Sequence, residues 1–182
     1  CRIMAKRQGS IKAKEAAHIG TTVHGAIEQY YRNIKTTKSD LPDFLNLTTG
    51  FDKEEMHTAF KGFLEWDSDH QVECKEPEKV VSCKYYAGTL DLIGKLQTVN
   101  RTYVIDFKVT NYVSPEHRYQ VAAYKHLTCA DRCGIVYLNK SELGYKFKDT
   151  TNTYEKDLHT FSRMCKLYYS RHPWIRKQVL GG

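Results

Sequence analysis

Gly88-Thr89-Leu90-Asp91, followed after a strand-like segment by Val104-Ile105-Asp106-Phe107-Lys108, is the stretch on which the reading of this 182-residue chain turns. Asp106 interrupts an apolar run, which is not where an ordinary solvated charge stands. Asp106 and Lys108 are two residues apart on a predicted strand, so alternation puts both side chains on one face. Asp91, near the start of the preceding strand, can meet them across the hairpin. A pair of carboxylates offering only oxygen suits Mg2+ or Mn2+, and the backbone carbonyl of Phe107 can add a ligand. The Lys108 ammonium can orient or help deprotonate a water, or stabilise charge in a phosphorane-like transition state.

Working outward, Val80–Tyr86, Thr89–Leu96 and Thr102–Phe107 are rich in β-branched and aromatic residues and read as three consecutive antiparallel strands. Upstream, Ala16, Ile19, Val23 and Ile27 recur at helical spacing, which predicts a helix from Ile11 to about Lys35. Thr36–Gly50, with Ser39-Asp40-Leu41-Pro42-Asp43, reads as a loop, and Asp52 as the cap of a second helix running to about Asp69. Downstream, the pattern predicts a helix from Pro115 to Leu127, strands at Gly134–Leu138 and Tyr145–Phe147, and a last helix over Tyr154–Tyr169. The order α-α-β-β-β-α-β-β-α gives an α/β or α+β fold, a central mixed sheet flanked by helices without a doubly wound nucleotide-binding pattern.

The length suits a single domain over residues 1–182, and the start at Cys1 suggests a piece of a longer chain. Apolar residues at 41% with only 11 Gly and 4 Pro exclude collagen-like and disordered classes. Lys and Arg number 28 against 21 Asp and Glu, a formal charge of +7 that favours a polyanionic partner. No apolar run reaches the roughly 18 residues of a membrane span and no signal-peptide core is present. The expectation is therefore a soluble intracellular protein with no membrane partner, its compartment open. Six cysteines include no Cys-x-x-Cys pair, and Cys129-x-x-x-Cys133 alone does not make an iron–sulfur set, so free thiols are expected. Lys140, Lys146, Lys148 and the run Arg171-His172-Pro173-Trp174-Ile175-Arg176-Lys177 mix cations with aromatics, which suits strand binding as well as a plain solvated surface.

Gly88-Thr89-Leu90-Asp91 with Ile105-Asp106-Phe107-Lys108 resembles the core signature of the PD-(D/E)XK nuclease superfamily. Gly20-Thr21-Thr22-Val23-His24-Gly25-Ala26-Ile27-Glu28 resembles the Gly-x-x-x-His helix of its RecB-like branch, and Gln120-Val121-Ala122-Ala123-Tyr124 the Gln-x-x-x-Tyr helix. The forms are nearest to the group containing the mitochondrial genome maintenance exonuclease and related phage exonucleases. Leu90 stands where the superfamily's name has proline, and the two aspartates are fifteen residues apart, a slightly wide interval that a longer hairpin through Thr98-Val99-Asn100 would absorb.

The resemblance implies a restriction-endonuclease-like core and a Mg2+- or Mn2+-dependent deoxyribonuclease, an exonuclease serving DNA replication, repair or recombination on single strands or duplex ends. It implies His24, Asp91 and Asp106 as metal ligands with the Phe107 carbonyl, and Glu28 as a neighbour orienting His24. Glu78 would correspond to the glutamate preceding the first family strand, with Glu73 and Glu76 competing for that role and a solvated acidic cluster as the plain alternative. Asp91, Asp106, Lys108 and Glu78 would form the catalytic set. Gln120 and Tyr124, one helical turn apart, would contact the nucleic acid. The alternatives are a catalytically silent nucleic-acid-binding module and an endonuclease acting on DNA or RNA.

Overall fold

A computed structural model describes the chain over residues 2–33 and 51–172. The elements run α1 (Arg2–Asn33), α2 (Phe51–His70), β1 (Val72–Ser82), β2 (Ala87–Leu96), β3 (Arg101–Val109), α3 (Pro115–His126), β4 (Arg132–Leu138), β5 (Tyr145–Asp149), a single 3-10 turn (Thr151–Thr153) and α4 (Tyr154–Arg171). The chain is α+β, with the order of elements that its periodicity predicts. The loop predicted over Thr36–Gly50, and the Pro173–Lys177 part of the C-terminal basic run, lie outside the described residues. α2 begins at Phe51, so Asp52 falls within its first turn instead of preceding it. α1 begins at Arg2, nine residues before the predicted start, and β1 starts at Val72 and ends at Ser82, leaving Cys83–Tyr86 as the hairpin turn, closed by Cys83 N–H donating to the Tyr86 carbonyl at 2.9 Å.

The shift in β1 has a physical cause. β1 stands at one end of the sheet order β1-β2-β3-β4-β5. An edge strand has one open side, so it can carry the charged run Glu73–Lys79 and even Pro77, which lacks a ladder donor. The same run hides the alternation that marks a strand. Inner strands show the opposite character: Tyr103–Phe107 of β3 and Cys133–Leu138 of β4 are buried without interruption. β1, β2 and β3 pair antiparallel, with Lys79 opposite Leu90 and Leu92 opposite Ile105. The β2–β3 turn takes up Gln97–Asn100, and Asn100 adopts φ +51°, a left-handed conformation that asparagine tolerates.

Contacts divide the chain into two compact units, one drawn from Cys1–Asp69, Phe107–Asn111 and Tyr137–Lys146, the other from His70–Asp106, Tyr112–Val136 and Phe147–Gly182. In the first, Phe63 is fully buried and its ring meets those of Tyr30, Tyr31, Phe60 and Phe107 at centroid distances of 5.2, 5.5, 5.4 and 5.5 Å. Trp66 meets Phe107 edge-on at 5.3 Å. Beside this cluster Tyr30 and Tyr31 donate hydrogen bonds to Asp67 at 3.0 and 2.6 Å, tying α1 to α2. Burial pushes the Asp67 carboxyl above its usual range, and the two tyrosine hydrogen bonds pull against that.

In the second unit, Asp157 of α4 is 1% exposed and accepts from Thr153 at 2.6 Å, with Arg118 Nη2 of α3 at 3.4 Å. This pair fixes the two helices to each other. Ser114 caps α3 by accepting from Glu116 N–H at 3.3 Å, and Pro115 opens it. Asp149, at the end of β5, accepts from Tyr103 at 2.8 Å, Thr151 N–H at 2.8 Å and Arg132 at 3.2 Å. Burial alone would raise its pKa, but these hydrogen bonds win and hold it below the ordinary carboxylate range.

Two stability outcomes follow from these packings. Phe63→Ala should lower the unfolding free energy by about 3–5 kcal/mol, read from urea denaturation, because four ring neighbours lose their partner. Asp149 has a depressed folded pKa, so its contribution is present above the unfolded carboxyl pKa and disappears as pH falls through the folded one. Asp149→Asn should therefore melt below the parent protein at pH 7, and the gap should close as melts are taken at pH values below the ordinary carboxylate range.

Candidate active site

A row of three acids crosses β1, β2 and β3 in the second unit. The pairs Pro77–Leu92 and Lys79–Leu90 bracket Glu78 and Asp91, which thus stand across from each other, and their carboxylate oxygens lie within 4.8 Å. On the other side of β2 the ladder ends at Leu92–Ile105, and Asp91, just before Leu92, and Asp106, just after Ile105, are the next residues beyond that last pair. Neighbouring strands are about 4.8 Å apart, and opposed residues share a face of the sheet. The sequence places the two aspartates fifteen residues apart, and the four-residue turn at Gln97–Asn100 folds the interval back so that both lie just beyond the end of the β2–β3 ladder.

Each acid sits in a different setting. Asp106 is 1% exposed, between Ile105 and Phe107 at 0%. Asp91 and Glu78 are half-buried. Glu78 has φ +48°, the left-handed region, inside a strand. For a side chain with a Cβ that conformation costs roughly 1–2 kcal/mol, and it is held here between two paired residues. The competing glutamates are engaged elsewhere: Glu73 accepts from Gln97 at 2.7 Å and Glu76 from Lys79 at 2.5 Å. Close carboxylates repel and offer oxygen only, so the donor set fits a hard divalent cation such as Mg2+ or Mn2+.

Lys108 is half-buried and two residues beyond Asp106 on β3, so strand alternation turns it to the same side as Asp106. Phe107, between them, points into the aromatic cluster of the first unit and is fully buried. His24 lies half-buried on α1 in the first unit. Glu28, one turn later, accepts from Arg32 Nε at 2.8 Å.

Gln120 and Tyr124 are brought together on α3, Gln120 Nε2 donating to Tyr124 Oη at 3.1 Å. The Tyr124 ring lies directly against Gly88: a Cβ there would come within 2.7 Å of Cε1 and 2.8 Å of Oη. The glycine three residues before Asp91 is therefore a seat for the tyrosine of the downstream motif. Tyr86 Oη donates to the Ala123 carbonyl at 3.2 Å and fixes the same turn of α3 to the β1–β2 hairpin. Sequence reasoning missed both contacts. A glycine inside a strand signals a close approach, but nothing in the sequence names the residue that approaches.

The basic residues divide. Lys140 is paired with Glu55 at 3.3 Å. Lys146 and Lys148 lie on β5, the other end of the sheet order, where charge also guards an open edge. Among the described residues, no helix is long and apolar enough to cross a membrane. Cys74, Cys83, Cys129, Cys133 and Cys165 are free thiols.

Comparison with known proteins gives one family. The model of the PD-(D/E)XK nuclease superfamily matches residues 2–172. No curated protein matches. Among solved structures, that described as "Crystal structure of SSO0001" is similar at 12% identity over 79% of this chain and 74% of that one, with a TM-score of 0.32.

Because the Gly88 seat sets where Tyr124 stands, Gly88→Ala should displace the ring and break the Gln120–Tyr124 bond. The expected outcome is a loss of nuclease turnover of roughly 10²-fold with an unchanged circular dichroism spectrum, since a misplacement of about 1 Å suffices for such a loss.

Proposed function

Since the chain belongs to the PD-(D/E)XK nuclease superfamily, we propose that it is a Mg2+- or Mn2+-dependent deoxyribonuclease of the RecB-like branch, near the mitochondrial genome maintenance exonuclease and related phage exonucleases. It is proposed to act as an intracellular exonuclease on single strands or duplex ends in replication, repair or recombination. The observation that carries the reading is that Glu78 and Asp91 bring their carboxylates within 4.8 Å across β1 and β2, while Asp106 follows the last β2–β3 pair on β3 with Lys108 on its side of that strand. A catalytically silent module would gain little from acids gathered where a phosphate backbone is to bind.

In this reading Asp91, Asp106, the Phe107 carbonyl and His24 hold the cation, His24 being assigned through its Gly-x-x-x-His motif. Such a cation, when bound, polarises a phosphoryl oxygen and lowers the pKa of its water. Glu78 and Asp91 accept hydrogen bonds from the attacking water and keep it in line with the scissile bond. Lys108 supplies a positive charge where negative charge develops on the phosphoryl oxygens. Gln120 and Tyr124, pre-oriented by their own hydrogen bond and the Gly88 seat, align the strand, which removes orientational freedom before reaction. The whole chain is read as one nuclease domain.

The test is incubation of the chain with end-labelled linear and circular, single- and double-stranded DNA and RNA, with Mg2+, Mn2+ or EDTA. Release of mononucleotides or short oligomers from linear DNA alone, abolished by EDTA, is the expected result. Asp106→Asn and Lys108→Ala should each cost at least about 10²-fold in rate while leaving the fold intact. Cutting of circles would make the protein an endonuclease, and full Mg2+-dependent activity of Lys108→Ala would remove the proposed mechanism. Tight binding without cleavage under every metal would favour a binding module.

A further inference from the structure

Outside the acid row, the second unit contains a cavity of about 750 Å³ between the β1–β2 hairpin turn, the end of α3 and one face of α4. That volume lies in the range of small-molecule sites, roughly 300–1,000 Å³. Its walls include Tyr85, Tyr86 and Tyr169, its cations are Lys84 and Lys166, and the His126 imidazole also lines it. No carboxylate lines it among the described residues. Ring walls with an all-positive rim fit a ligand that is flat and aromatic at one end and anionic at the other.

The cavity is built, not incidental. Tyr169 Oη donates a short hydrogen bond to the Tyr85 carbonyl, fastening the hairpin turn to α4. Tyr86 packs edge-on against Phe161 at 4.9 Å and is bonded to the Ala123 carbonyl at 3.2 Å. Tyr85 is 46% exposed, and the Lys84 ammonium lies 4.9 Å from its ring centroid, so a stacking face and a cation are offered together. Tyr86 lines the cavity and is two residues from Gly88, and it is bonded to Ala123, which immediately precedes Tyr124, so the cavity wall and the Gln120–Tyr124 pair are tied to the same hairpin–α3 contact.

We propose that this cavity is a nucleotide subsite for single-stranded DNA, holding a base of the substrate against Tyr85 and its phosphate at Lys84 and Lys166. The proposal rests on the nuclease reading, since it places a flanking nucleotide beside the strand that Gln120 and Tyr124 align. Base stacking on tyrosine is tolerant of sequence, and lysines neutralise the backbone, so the subsite would add affinity without selecting a sequence. Its occupancy would hold the strand between successive cuts.

Two thiols in the wall make the test direct. Cys83 and Cys165 both line the cavity, whereas exposed Cys129 does not. The full chain is incubated in EDTA with an oligodeoxythymidylate, its binding followed by fluorescence anisotropy, and alkylation by iodoacetamide is measured per cysteine by mass spectrometry. Saturating oligonucleotide should slow alkylation of Cys83 and Cys165 by about tenfold and leave Cys129 unchanged, and Tyr85→Ala with Lys166→Ala should weaken binding by about tenfold. Alkylation of Cys83 and Cys165 at their free rates while the oligonucleotide is bound, or no binding at all, overturns the subsite. A parallel Mg2+ cleavage assay separates the two readings. Cleavage without thiol protection removes the subsite alone, and protection without cleavage in any metal keeps the subsite and removes the nuclease.

Discussion

Asp106 sits in the middle of β3 with apolar neighbours on both sides and 1% of its surface exposed. A charge taken that far out of water costs several kcal/mol unless other charges or a cation compensate it. Much of the surrounding architecture supplies or prepares that compensation. Lys108 follows at the next position on the same face, and Asp91 stands one strand away with Glu78 beyond it. A row of acids cannot stabilise a buried acid by itself; it becomes favourable when a divalent cation joins it. Such a donor set fits a divalent cation, which is what the proposed nuclease chemistry requires.

Holding such a row open requires rigid support, and the support comes from backbone. Glu78 is kept in a left-handed conformation by the paired residues on either side of it, Pro77 and Lys79. The irregularity between Cys74 and Glu76 shifts the β1–β2 register by one residue, and that shift places Glu78, not its neighbour, opposite Asp91. Tyr124 is positioned through Gly88 on one side and through Gln120 on the other. The Arg118–Asp157 pair anchors α3 two residues before Gln120.

The element order was legible because helix and strand periods differ strongly in the long segments, and the adjacency of Asp91 and Asp106 was legible because two strands joined by a short turn must pair. The start of β1 was not legible. Its charged outer run on an edge strand carries none of the alternation that buried strands show, so Glu73–Glu78 does not read as strand although all of it lies within β1. For the same reason local pattern alone does not separate Glu78, which the family resemblance favours, from Glu73 and Glu76; the backbone distinguishes them through a bulge and a left-handed residue. The contact between Gly88 and Tyr124 spans thirty-six residues and leaves no periodic trace. Local pattern carries elements; it does not carry which side chain enters a glycine's empty space.

The excess of positive charge takes on a definite distribution against this centre. Some cations are structural, as Lys140 with Glu55 and Arg132 with Asp149. Others meet no carboxylate in the cavity they line, as Lys84 and Lys166. A polyanion approaching an acid row is repelled by it and attracted by cations set to one side, so the two sets do different work. In the proposed reading, flanking lysines would bring the backbone in and hold it, while the acids, with a cation among them, would act on a single phosphate. Separation of these roles lets a protein with a formal charge of +7 keep an acidic site at the centre of its sheet.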